Sequence, residues 1–214
     1  MDTFDIWPWT TLFLLGAFHG VNPGMGWLFA VALGMQERRS AAVWRALPPL
    51  AAGHALAIGA ALAVASAAGV VISVSRIRWP VAALLIGMGV YRLFRHRHPR
   101  GGSMRVGAAG LTTWSFLMAS AHGAGLMVVP VFLGLSSPGA GFSCHGGTVT
   151  GAEGAWTATL ATGLHGVGYL LVTAVAAWAV YAKLGVGLIR KAWINLDLIW
   201  AAALIATGGF TLFL

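Results

Sequence analysis

Phe18-His19-Gly20-Val21-Asn22-Pro23-Gly24-Met25-Gly26-Trp27 decides how this chain is read, because it sets an imidazole, an amide, a proline and a thioether inside an otherwise lipid-soluble run. Polar side chains are costly in hydrocarbon and face a bundle interior or a cavity when they occur there. Pro23 lacks a backbone donor and clashes with the preceding turn, so the helix that carries His19 is expected to break at Pro23-Gly24 and to leave carbonyls free near mid-membrane. Interrupted membrane helices are common at transporter binding sites. The competing reading is structural: Gly16, Gly20 and Gly24 form a small-residue packing seam, and His19 and Asn22 only bond a neighbouring helix.

Working outward, the composition agrees with a membrane setting. Of 214 residues, 58% are hydrophobic and 8% charged, with a mean hydropathy of +0.82. Soluble domains carry roughly 25% charged residues. A spanning helix takes about 20 apolar residues, so the chain is expected to be an all-α membrane protein. The acidic start Met1-Asp2-Thr3-Phe4-Asp5 lacks the positive region of a signal peptide, so the first apolar segment is expected to stay as a span. A single cysteine, Cys144, rules out internal disulfides and a Cys-pair relay. The net charge of +8 is spread between apolar runs and reads as a topology signal rather than as a nucleic-acid surface.

Six transmembrane helices are expected, at about 9–35, 47–75, 79–94, 106–135, 156–182 and 193–214. Pro48-Pro49 is expected to open the second. Setting His19 on His122, the segment Thr10 to Gly20 matches Thr113 to Gly123 at 5 of 11 positions without a gap. His54 after Gly53 and His165 after Leu164 follow suit, and Gly208-Gly209 answers Gly87-Met88-Gly89. The chain therefore divides into a three-span unit over residues 1–95, a basic cytoplasmic loop over 96–105, and a second three-span unit over 106–214. An odd number of spans per unit turns the second upside down, giving two inverted three-helix repeats. Eleven Lys and Arg then fall on one side and two on the other. Because positive residues gather on cytoplasmic loops, both termini are expected outside an inner (plasma) membrane.

Chemistry-bearing residues concentrate in the spans. His19, His54, His122 and His165 are four histidines at repeat-related places, and membrane histidines mark pathways for ions or protons. Imidazole suits nickel, copper, zinc and iron, and thioether suits Cu(I), so Met25, Met118 and Met127 are secondary ligand candidates, or flexible packing. Carboxylates are nearly absent from the spans, which argues against Mg²⁺ and Ca²⁺. Asp197 is a proton-relay candidate or the partner of a basic residue. His96 and His98 read as a solvated loop or as a contact for anionic lipid, and Cys144-His145 is a weak soft-metal pair in a Gly-rich loop.

The two three-span units, the His-x-x-x-Pro-Gly of the first span and the Gly-rich ends of the third and sixth resemble the LysE-type transporter superfamily. Within it, His19-Gly20-Val21-Asn22-Pro23-Gly24-Met25-Gly26 resembles the first-span signature of nickel/cobalt efflux permeases, His-Ala-x-Glu-Pro-Gly-His-Gly. His19, Pro23, Gly24 and Gly26 match it. Asn22 stands where that family has an acidic residue and Met25 where it has a second histidine, so the family's charged ligands are missing.

The resulting expectation is a non-enzymatic transporter without a resident cofactor. Its cargo is a transition-metal cation, Ni, Co or Cu-like, bound at mid-membrane by His19, Asn22, Met25, His122 and Met127, with His54 and His165 lining the path. Its partners are the lipid bilayer and a small cation or small solute, with no nucleic acid. Two alternatives stand beside it: a bis-His haem-binding electron carrier, and a proton-coupled exporter of a small organic solute.

Overall fold

The computed structural model describes residues 6–71, 74–94, 107–135, 151–184 and 196–212. Among them every regular element is helical. The chain runs α1 (Trp7–Val21), a 3-10 turn (Pro23–Met25), α2 (Trp27–Glu37), α3 (Ser40–Val71), α4 (Val74–Phe94), α5 (Ala108–Ala121), α6 (Ala124–Leu135), α7 (Gly151–Ala179) with a π turn (Val180–Leu184), and α8 (Leu196–Thr211).

Two helical segments, Ser40–Ala68 and Ala152–Lys183, are long and apolar enough to cross a membrane, and the pair α5 and α6 makes a third if it counts as one span bent by 64°. Trp79–Tyr91 is a shorter apolar helix. The distribution of side chains supports a membrane environment independently. Leu160, Val167, Leu171 and Val175 are exposed along one face of α7, while His165, Tyr169 and Thr173 on its other face are fully buried. A soluble protein hides its large apolar residues and leaves most polar ones wet; at these positions of α7 that order is inverted.

Two sequence expectations about helix boundaries change. α3 starts at Ser40, and Pro48 and Pro49 lie inside it rather than opening it. The fourth apolar segment is interrupted at His122-Gly123, where Gly123 adopts φ +73°, and Pro130 rides inside α6. The α2–α3 corner turns on Arg38 in the left-handed region, with Glu37 paired to Arg45 at 2.6 Å on the exposed surface; such a pair contributes about 1 kcal/mol at most.

Packing joins the two ends of the chain. α1 lies along α7, α3 along α5, and α4 along α8. Glycine makes these approaches possible. A methyl group at Gly16 would run into the His165 carbonyl, one at Gly168 into the Phe13 carbonyl, and one at Gly53 into the Thr112 carbonyl. Small residues let membrane helices pack backbone to backbone in this way. The contact of α4 with α8 is reciprocal: a methyl at Gly89 would meet Ile205 Cγ1 at 2.6 Å and the Ala201 carbonyl at 2.8 Å, and one at Gly208 would meet Ile86 Cγ1 at 2.7 Å and the Ala82 carbonyl at 3.0 Å.

Candidate functional site

The break after α1 is built as the sequence asks, but its carbonyls are not free. Asn22 is extended (φ −70°, ψ 120°), the conformation that a following proline enforces. Its side-chain oxygen accepts from the Gly24 N–H at 2.9 Å, so Asn22 caps the turn. Every carbonyl from Val21 to Gly26 accepts a hydrogen bond. Three of the donors are aromatic side chains: Trp27 Nε1 to Val21 (3.0 Å), Trp114 Nε1 to Gly24 (3.2 Å) and Tyr169 Oη to Met25 (2.7 Å). In hydrocarbon a bare carbonyl costs several kcal/mol, which explains why α2, α5 and α7 each send a donor there.

Beneath the break, three histidines from three helices meet. His19 near the end of α1 lies with its ring centre 5.7 Å from His54 of α3 and 5.1 Å from His165 of α7, and His54 and His165 are 5.4 Å apart. All three are fully buried. His122, also buried, lies close enough to His19 for the two rings to interact electrostatically. His19 Nδ1 donates to the Leu15 carbonyl at 2.6 Å, and His122 Nδ1 donates to the Met118 carbonyl at 2.8 Å. A carbonyl only accepts, so in both residues Nδ1 carries the proton and Nε2 presents its lone pair. The ring nitrogens of His54 and His165 are buried without a well-formed hydrogen bond among the described residues; the Leu12 carbonyl is a loose hydrogen-bond acceptor for His165.

Tyr169 was not anticipated from the sequence. Its ring stacks on His54 with centres 3.9 Å apart and planes 8° from parallel, while its hydroxyl holds Met25 of the break. Its spacing was the available signal, because it stands four positions after His165 on one helix and therefore shares its face. Ser115, which donates to the Leu50 carbonyl at 2.6 Å and so ties α5 to α3, also carried no sequence signal.

The remaining candidates are placed as follows. Met25 and Met127 are buried beside Met118 and Tyr169 in one cluster. Pro23 and Gly24 form the 3-10 turn. The backbone of Asp197 lies at the start of α8, and its side chain lies outside the described residues, as do His96, His98, Cys144 and His145.

Chemically, this is a centre of neutral imidazoles in an apolar wall. Two imidazoles sharing one ion at about 2.0–2.1 Å per nitrogen have ring centres roughly 5–5.5 Å apart, and the three observed separations fall on or near that range. As the rings stand, no three His, Cys, Asp or Glu side chains among the described residues converge on one point. The planes of His54 and His165 differ by only 11°, and Tyr169 holds the His54 ring flat against its own. The chain matches no protein-family model, and it has no significant match among curated proteins or solved structures, so what it does is argued from this geometry.

Proposed function

We propose that the chain is a membrane transporter of six spans in two inverted units, and that its cargo is a transition-metal cation of the imidazole-seeking kind. The observation that carries the reading is the meeting of His19, His54 and His165 from both units at metal-sharing separations, fully buried, with the nitrogens of His54 and His165 left without a well-formed hydrogen bond among the described residues. Burying unpaired polar atoms is destabilising, so a site that retains several of them is arranged for something that visits.

Two further features favour this reading. Ligand histidines typically donate their second nitrogen to a carbonyl or carboxylate, which fixes the tautomer and the aim of the ring. His19 and His122 make that bond at the same relative position, each to the carbonyl four residues earlier. The reciprocal Gly89 and Gly208 contacts, and the pairing of α1 with α7 against α3 with α5, are what a pseudo-two-fold between inverted units requires. A haem fits less well. α1 and α7 pack backbone to backbone at Gly16, Gly20 and Gly168, and a porphyrin between the histidines needs helices that stand apart.

The test is metal binding by detergent-purified protein. Elemental analysis is expected to find Ni, Co or Cu bound to the wild type, and His54→Ala or His165→Ala is expected to reduce it at least tenfold without loss of folding. Binding should also weaken in acid, because a protonated ring cannot be a ligand. A wild-type protein that binds no metal at any pH sinks the reading and promotes proton-coupled export of an organic solute. Orientation has its own check: Cys144 is expected to react with an impermeant thiol reagent in intact cells, and a cysteine at position 97 to be shielded. Both positions lie outside the described residues.

A further inference from the structure

Four of the five described methionines gather in a single place. Met25 of the break, Met118 of α5 and Met127 of α6 are buried together with Tyr169, Leu85 and Leu204, and Met88 of α4 packs against them. The fifth, Met35, is half-exposed at the end of α2. Two of the thioether ends reach the helix breaks themselves: the terminal methyl of Met118 lies 3.3 Å from where a Cβ on Gly24 would sit, and that of Met88 lies 3.5 Å from the same point on Gly123.

This cluster adjoins the imidazole centre. Tyr169 belongs to it and covers His54 with its ring. Leu15, packed against the cluster, supplies the carbonyl that orients His19, and Met118 supplies the one that orients His122. The thioether cluster and the imidazole centre are therefore neighbours in the buried interior.

We propose, building on the metal-transport reading, that the cargo is monovalent copper, Cu(I), handled jointly by the imidazole centre and by the thioethers of Met25, Met118 and Met127. Thioether sulfur is a soft, neutral ligand that selects Cu(I) and offers little to Ni²⁺ or Co²⁺. The charge balance points the same way. Imidazole and thioether ligands bring no negative charge, and the cost of burying an ion rises with the square of its charge, so a neutral site in an apolar wall accepts a monocation far more readily than a dication. Copper enters and leaves in the same oxidation state, so no electron donor or acceptor is involved.

The experiment uses the full chain in detergent under anaerobic conditions. Cu(I) is presented against a competing Cu(I) chelator, and Ni²⁺ is titrated in parallel. The comparison variant carries Met25→Leu, Met118→Leu and Met127→Leu, swaps that conserve volume and apolarity. The wild type is expected to retain Cu(I) with sulfur scatterers in its X-ray absorption spectrum. The triple variant is expected to lose those scatterers and at least tenfold in Cu(I) affinity, with any weak Ni²⁺ binding unchanged. Single Met118→Leu and Met127→Leu variants, read by the same spectrum, keep the test decisive if the triple variant unfolds. Unchanged Cu(I) affinity and no sulfur scatterers would show that the methionines only pack, and would leave metal transport by the histidines standing. Tight Ni²⁺ or Co²⁺ binding without Cu(I) would overturn the copper assignment alone, whereas no metal binding of any kind would remove both.

Discussion

The chain interrupts two helices at corresponding places, and it does so by different means. The first break spans five residues, Asn22 to Gly26, and is made by a proline; each of its carbonyls is satisfied, two of them by aromatic donors on α5 and α7. The second consists of His122 and Gly123 alone, is made by a left-handed glycine, and is closed by the backbone bonds of Gly123 to Ser120 and Met127 to Gly123. The first break draws donors from distant helices, whereas local backbone bonds close the second. The difference shows in the histidines. His19 completes its helix and turns its ring toward His54 and His165, whereas His122 caps its helix and takes part in the turn.

The sharpest way to break this comparison is to add one methyl group to each glycine. Gly26 has φ +132°, and its new Cβ would lie 2.5 Å from Leu50 Cδ2 in the fully buried core. Unusual backbone costs about 1–3 kcal/mol, and overpacking adds about 1–3 kcal/mol more. Gly123, at φ +73°, sits nearer the ordinary left-handed basin, and its Cβ would meet Leu204 Cδ2 at 2.9 Å and the Met88 terminal methyl at 3.5 Å, two flexible side-chain ends. Gly26→Ala is therefore expected to lower the thermal unfolding midpoint of the purified protein clearly more than Gly123→Ala. Equal effects would mean that the two breaks are equally constrained.

Next in size is Tyr169→Phe, which keeps the stack on His54 and deletes only the hydroxyl. It leaves the buried Met25 carbonyl without its donor and is expected to cost about 1–3 kcal/mol. Trp114→Phe, acting on a longer and less buried bond to Gly24, is expected to cost less. A double variant whose cost differs from the sum of the two would show that the donors act as a unit. The smallest effect is expected from Asn22→Ala, about 0.5–2 kcal/mol for a lost cap. If it instead exceeded Tyr169→Phe in a thermal melt, the first break would be held locally, and the contrast between the two would fade.

These residues also mark what could be read in advance. The break at Pro23 was legible because a missing N–H is a local fact of covalent structure. The break at Gly123 was not, since glycine is common inside membrane helices and only tertiary packing decides which one bends. Pro48 and Pro49 misled in the opposite direction, because neighbours in a bundle tolerate prolines within helices. The histidines announced themselves by residue type and by the internal repeat. Tyr169 did neither, being one aromatic among many, and its importance comes from two contacts, one of which reaches 144 residues back along the chain.

That separation bears on how the protein is made. The carbonyls of Gly24 and Met25 are synthesised before their donors Trp114 and Tyr169, which follow 90 and 144 residues later. At roughly 5–20 residues per second, the Met25 carbonyl waits about 7–30 s for its hydroxyl. During that interval the break at Asn22 to Gly26 cannot reach its final form. A nascent chain arrested before α7 leaves the ribosome with an open hinge, and it is expected to be the species that quality-control proteases of the membrane recognise first.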